Sequence, residues 1–211
     1  SNQLPAIDAG APFQAIVEYL QIEPLKTCLR SDLIELKTFY DLILEGDGEK
    51  ALFYIKSKDR VNLHLKPLQI PTEYPVLSPI KHGPFGVNQI NRSHLKRGNI
   101  PVIILENDDE LELFNGDMGF IHGNRAKFGE REFPINLLPR HDYAYALSIH
   151  KSQGSEFNHV HLLLPEGSEA FGQNLLYTGA TRAKKALTLY ADEETFVKTI
   201  SEKNKREFKK I

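Results

Sequence analysis

Tyr143 to Glu156 reads YAYALSIHKSQGSE, and Leu175 to Ala191 reads LLYTGATRAKKALTLYA. The first is a dense apolar strand, Ala144 to Ile149, running straight into a polar turn broken by Gly154. The second is a helix carrying Arg182, followed at once by an apolar strand over Leu187 to Tyr190. Between them, Val160 to Leu164 is a third apolar run. Strands that are apolar at nearly every position and alternate with helices are expected of a parallel sheet covered on both faces. The periodicity predicts the crossover helices over about 171–184 and 193–203.

Upstream, Phe13 to Leu20 and Ser31 to Leu44 have helical spacing, with Leu33, Leu36, Tyr40, Ile43 and Leu44 on one face of the second. Asp32 with Glu35 forms a candidate capping box, and Gly46 ends the helix. A further helix is predicted over 49–57. Pro67, Pro71 and Pro75 mark an extended connection to a short strand over 76–80. His82-Gly83-Pro84-Phe85-Gly86-Val87 is a turn that opens a helix near Asn88. After Gly98 the period changes to alternation, with short strands predicted over 101–106, 111–114, 118–122 and 133–138. Asn115-Gly116 is a hairpin signal, because both residues tolerate positive φ. Successive short strands imply a small antiparallel barrel.

With 211 residues, 41% hydrophobic and 26% charged, the chain can bury a core in one domain with an insertion or in two small ones. The single cysteine, Cys28, excludes an internal disulfide and any cysteine-based metal cluster. No apolar run is long enough to span a membrane, and a cytoplasmic location is expected. A net charge of −2 argues against indiscriminate nucleic-acid binding. Charge is unevenly placed, however: Lys81, Arg92, Lys96 and Arg97 lie in one acid-free segment, and the tail from Lys203 to Lys210 is mostly basic. One local basic groove is enough to track a phosphate backbone.

The strings of the first paragraph resemble motifs V and VI of superfamily 1 helicases, and HKSQGSEF is closest to the RecD group. GPFGV at Gly83 to Val87 is a second match to RecD-like proteins. Gln3-Leu4-Pro5 with Gly10 resembles the tail of helicase motif III, and Cys28-Leu29-Arg30-Ser31 stands where the family has motif IV, with Leu29 in place of the usual aromatic residue. The resemblance implies the carboxy-terminal portion of a RecD-like superfamily 1 DNA helicase. The expected fold is an α/β, RecA-like second motor domain interrupted by a small SH3-like antiparallel β-barrel. Residues 1–97 and 141–211 would form the motor domain, with the motif III remnant at 3–10, and 98–140 the barrel.

The family's ATP lies between two RecA-like domains, and the first supplies a P-loop of the form G-x-x-x-x-G-K-[ST]. This chain has no Gly-Lys dipeptide, so ATP and Mg²⁺ are expected to be held mainly by an amino-terminal RecA-like domain of the same protein. Without that half, the chain is expected to be inactive alone. By resemblance Arg182 is the arginine finger on the γ-phosphate, with Arg30 and Gln3 as further catalytic candidates. A planar guanidinium suits that role, since charge develops on the transferred phosphoryl group. Gln153, Gly154 and Glu156 would lie near the nucleotide. Ser148, His150, Lys151, Ser152 and Thr178 would contact single-stranded DNA, and phosphate contacts of this kind give position without reading sequence. Arg125, Lys127, Phe128 and Arg131 of the barrel are a second candidate DNA surface.

His159 and His161 straddle one strand residue and point the same way. No spacing with cysteine or carboxylate marks a ligand set, and no metal site is assigned. The resemblance further implies ATP-driven 5′ to 3′ movement on single-stranded DNA, a role in recombination and double-strand break repair, and RecB- and RecC-like partner subunits. Two alternatives remain at this level: another superfamily 1 helicase, conjugative or acting on RNA, and a non-catalytic DNA-binding or assembly module.

Overall fold

The computed structural model describes residues 33–57, 61–95 and 98–202. The helix predicted over 13–20, Asp32 of the capping box, Gln3, Arg30 and the basic tail lie outside the described residues.

Five strands form a wholly parallel sheet: β1 (Leu63–Lys66), β2 (Val76–Ser78), β8 (Ala146–Ser148), β9 (Phe157–Leu163) and β10 (Ala183–Tyr190), in the order β1-β10-β9-β2-β8. Alternate residues leave on opposite faces, which is why the apolar runs are continuous. On one face Leu63, Leu77, Leu162, Leu187 and Leu189 join the main core. Helices α1 (Ile34–Glu45), α2 (Gly48–Lys56), α4 (Gly172–Ala180) and α5 (Glu193–Ser201) supply its other half, including Phe39, Tyr40, Ile55, Leu176 and Phe196. On the opposite face Val76, Ala146, Leu163 and Tyr190 pack with Ile90 of α3 (Val87–His94) and with Tyr145. Gly46 ends α1 at φ 78°, as its position predicts, whereas the amino-terminal cap residue is Leu33, with no side-chain cap bond.

The strands of the second sheet are antiparallel and lie between Ile100 and Tyr143: β3 (Ile100–Ile104), β4 (Met118–His122), β5 (Arg125–Phe128), β6 (Arg131–Pro134) and β7 (His141–Tyr143), in the order β6-β5-β4-β3-β7. Its core of Val102, Ile104, Leu113, Ile121, Ala126 and Phe128 is separate from the other two. β6 and β7 are its edges. The tight hairpins sit at Gly123-Asn124 and Gly129-Glu130, where each glycine takes positive φ (61° and 60°) at the first central position, as a type II′ turn requires. Asn115-Gly116 forms a turn as well, closed by Asp117 N–H on the Phe114 carbonyl at 2.9 Å, but it leads into β4 rather than joining two paired strands.

Three local expectations are corrected. Residues 111–114 make only the bridge Asp108–Leu113, because Glu112 takes φ 50° and breaks the extended run. Strand β6 stops at Pro134 and gives way to a 3₁₀ turn, Ile135–Leu137. The helix predicted to reach Lys184 ends at Ala180, because Ala183 is drawn into parallel pairing with Phe157. Arg182 therefore lies between helix and strand, not on the helix.

The two sheets are joined where β7 leads to β8. There Asn91 of α3, 8% exposed, donates from Nδ2 to the carbonyls of Tyr143 and Ala146, both at 3.0 Å. Its Oδ1 accepts from the Ala146 N–H at 2.7 Å. Truncating such an amide leaves buried backbone groups without partners. Asn91→Ala is expected to cost about 1–3 kcal/mol in urea unfolding. A loss below about 0.5 kcal/mol would mean that water replaces the amide.

Candidate functional site

Ser148 ends β8, and the chain then turns through 149–156 before re-entering the sheet at Phe157. Backbone bonds from Ser152 to Ser148, Gln153 to His150 and Ser155 to Ser152, each 3.1 Å, shape the turn, and Gly154 takes φ 87° within it. Gln153, Gly154 and Lys151 are exposed, and His150 is half-buried. Lys151 Nζ lies 2.7 Å from Asp142 Oδ2, in an exposed ion pair. Glu156 is paired with Lys184 at 2.9 Å.

Other candidates of this segment point inward. Ser148 is buried, and its Oγ accepts from the Lys151 N–H at 3.3 Å. Ser152 is fully buried and donates to the Ile149 carbonyl at 2.7 Å. Thr178 is also fully buried, its hydroxyl donating to the Asn174 carbonyl at 2.8 Å. These three hydroxyls hold the turn and the helix, while Lys151, His150, Gln153 and the Gly154 backbone form the surface.

Arg182 is the largest fully buried side chain among the described residues, 2% exposed. Nε donates to the Thr178 carbonyl at 3.0 Å, Nη1 to the Ser155 carbonyl at 3.3 Å, and Nη2 to Thr181 Oγ1 at 3.4 Å. Its own carbonyl accepts from the Phe157 N–H at 2.9 Å. One residue thus ties the 149–156 turn to the 178–183 segment. All three side-chain acceptors are neutral oxygens, and among the described residues no carboxylate forms an ion pair with it. Tyr40 braces the same place: its hydroxyl lies 3.0 Å from the Ala180 carbonyl and 3.1 Å from that of Ala183, on either side of Arg182. Sequence reading placed Tyr40 in the core, where its apolar spacing put it, and nothing in that spacing revealed the hydroxyl's second task. Tyr177 packs edge-on against the Tyr40 ring at 6.4 Å, as a packing residue should.

Three of the four candidates on the antiparallel sheet are engaged within the chain, and Lys127 is exposed. Phe128 is 5% exposed in the core of its own sheet, so it is no stacking platform. Arg125 pairs with Glu132 at 2.8 Å, and Arg131 with Glu112 at 3.3 Å. His159 and His161 do share one face of β9, with ring centroids 4.1 Å apart. Burial lowers the pKa of both, with His161 brought to about 4 and the neighbouring His159 charge adding to its shift, so both rings are neutral at pH 7.

Residues 143–190 match the UvrD-like helicase C-terminal domain family. The RecBCD enzyme subunit RecD of Haemophilus influenzae is 44% identical over 109 residues, which are 51% of this chain and 17% of that protein. The same subunit from Buchnera aphidicola subsp. Schizaphis graminum is 28% identical over 79% of this chain and 32% of its own length. The ATP-dependent RecD2 DNA helicase of Deinococcus radiodurans is 27% identical over 87% of this chain and 30% of its own length. The chain therefore spans about a third or less of these relatives. In fold it is similar to the Pif1 helicase from Bacteroides crystallised with ADP-AlF3 and ssDNA, at a TM-score of 0.57 and 15% identity over 92% of this chain and 62% of that one. That likeness establishes a mixed α/β fold of RecA-like type.

Proposed function

We propose that this chain, a RecD-like superfamily 1 helicase segment by sequence and by fold, is the second motor domain of an ATP-dependent DNA helicase. The observation that carries the proposal is the buried Arg182 guanidinium, which has no anionic partner among the described residues. A buried charge without a counter-charge is costly, and a partner brought from outside relieves that cost. A nucleotide γ-phosphate delivered by a P-loop domain is such a partner, and a charge-assisted contact there acts when the transferred group is most anionic. Among the described residues three of the five guanidinium N–H donors are used, which leaves donors for phosphate oxygens. ATP and Mg²⁺ would be held mainly by that other domain, with Gln153, Gly154 and Glu156 near the nucleotide and Arg30 and Gln3 as additional contacts. Alone, the chain would not turn ATP over.

In this reading Lys151, His150 and the backbone around Gly154 track single-stranded DNA, with Ser148, Ser152 and Thr178 shaping that surface. Residues 98–140 form an inserted unit of SH3-like character, onto which β7 (His141–Tyr143) pairs before the chain returns to the motor domain. Movement is 5′ to 3′, the pathway is recombinational double-strand break repair, and RecB- and RecC-like subunits are the partners. The relatives named as RecBCD subunits favour that assignment. No described helix is long and apolar enough to cross a membrane.

Fluorescence anisotropy of a labelled oligonucleotide tests the DNA surface directly. Lys151→Ala is expected to weaken single-strand binding uniformly across sequences and to reduce the salt slope of the affinity by about one. Unchanged affinity and slope would remove Lys151, and with it the 149–156 turn, from the DNA path.

A further inference from the structure

The sheet face bearing α3 carries a second constellation, unrelated to the motor reading. Strand β9 places His159 and His161 two residues apart on that face. The segment between β1 and β2 brings Glu73 over them. One ligand atom from each of Glu73, His159 and His161 lies within 4.8 Å of the others. His161 is 3% exposed, and its Nε2 is buried without a hydrogen-bond partner, with Glu73 Oε2 at 3.3 Å. Buried imidazole nitrogens are normally satisfied, and an orphan aimed at a carboxylate and a second imidazole calls for something to fill the gap.

We propose that Glu73, His159 and His161 bind a divalent transition-metal ion of the Zn²⁺ class. Two imidazoles and one carboxylate are a familiar zinc donor set, and the softness of the nitrogens disfavours Mg²⁺. The remaining ring nitrogens are already arranged as a metal site needs. His159 Nε2 meets Thr188 Oγ1 at 2.9 Å, and His161 Nδ1 meets Tyr190 Oη at 3.3 Å. Such outer contacts fix which nitrogen faces the metal. Thr188 stands level with His161 across the β9–β10 ladder, so the sheet itself sets the geometry. Three protein ligands leave one position open to water. The ion would clip the loop carrying Glu73 onto the sheet.

The site escaped sequence reading because Glu73 belongs to a segment far from β9 in the chain. The test is Zn²⁺ titration of the untagged 211-residue chain by calorimetry, with Co²⁺ as a spectroscopic stand-in. One equivalent of Zn²⁺ is expected, with the visible bands of a four-coordinate Co²⁺ site. Glu73→Gln changes an exposed side chain and leaves the fold intact, yet should weaken binding at least about tenfold, and Tyr190→Phe should weaken it about 10- to 100-fold through the outer shell. Absence of a stoichiometric site at micromolar Zn²⁺ overturns the proposal. So does binding that is undiminished in both Glu73→Gln and His159→Gln.

Discussion

Replacing Arg182 by alanine, in a protein that joins this chain to the P-loop domain proposed above, should lower DNA-stimulated ATP turnover by about 10³- to 10⁵-fold. Two losses contribute to that number. One is the charge that would meet the γ-phosphate. The other is the clamp between the Ser155 and Thr178 carbonyls, whose removal takes the guanidinium donor from Ser155, while the Thr178 carbonyl keeps the Thr181 hydroxyl, and costs about 1–3 kcal/mol of stability. Arg182→Lys tests the fork geometry rather than the charge, because an ammonium keeps the charge but cannot present two parallel donors to a phosphate. If the finger role is right, the lysine variant folds and binds single-stranded DNA normally, while its turnover remains far below that of the parent. Tyr40→Phe provides the complementary control, since it removes the brace on Ala180 and Ala183 without touching the guanidinium. Turnover in Arg182→Ala within about tenfold of the parent would reduce Arg182 to a structural clamp.

Phe196→Ala should destabilise the chain by about 3–5 kcal/mol, the largest effect expected outside the site. The Phe196 ring has no solvent exposure and stacks on Phe39 of α1 with centroids 6.2 Å apart and 13° between planes. It joins α5 to the helical layer that also carries Tyr40, so the packing beneath the Arg182 turn depends on it. Against a total stability of about 5–15 kcal/mol, that loss takes the domain close to its unfolding threshold. Urea unfolding should show a lower midpoint at unchanged slope, which marks a change in stability rather than in the surface exposed. A shift under about 1 kcal/mol would mean that α5 is not built into this core.

The parallel sheet was legible because its strands announce themselves locally. Leu162 to Leu164 places apolar side chains on both faces, and a run of that kind has nowhere to lie except between two covering layers. Glycines after Leu44 and within 149–156 marked where helix and strand give way. The antiparallel unit was legible as a change of period, although its edges were not. Glu112 takes positive φ in a stretch that looked extended, and the hairpins formed at Gly123 and Gly129 rather than at Asn115-Gly116. Local patterns show where a strand can form, but pairing partners select the one that does.

By itself, then, the sequence determined two sheets of different period, and the polar strings around His150 and Arg182 that resemble those of superfamily 1 helicases. Those properties reside in neighbouring residues, whose periodicity and turn chemistry act over a few positions of chain. Tertiary structure alone decided that Arg182 is buried with no counter-ion among the described residues, that the hydroxyls of Ser152 and Thr178 face inward, and that Glu73 meets His159 and His161. Each of those facts depends on which segments pack together. Burial and partnership belong to contacts between residues distant in sequence, and no local propensity encodes them.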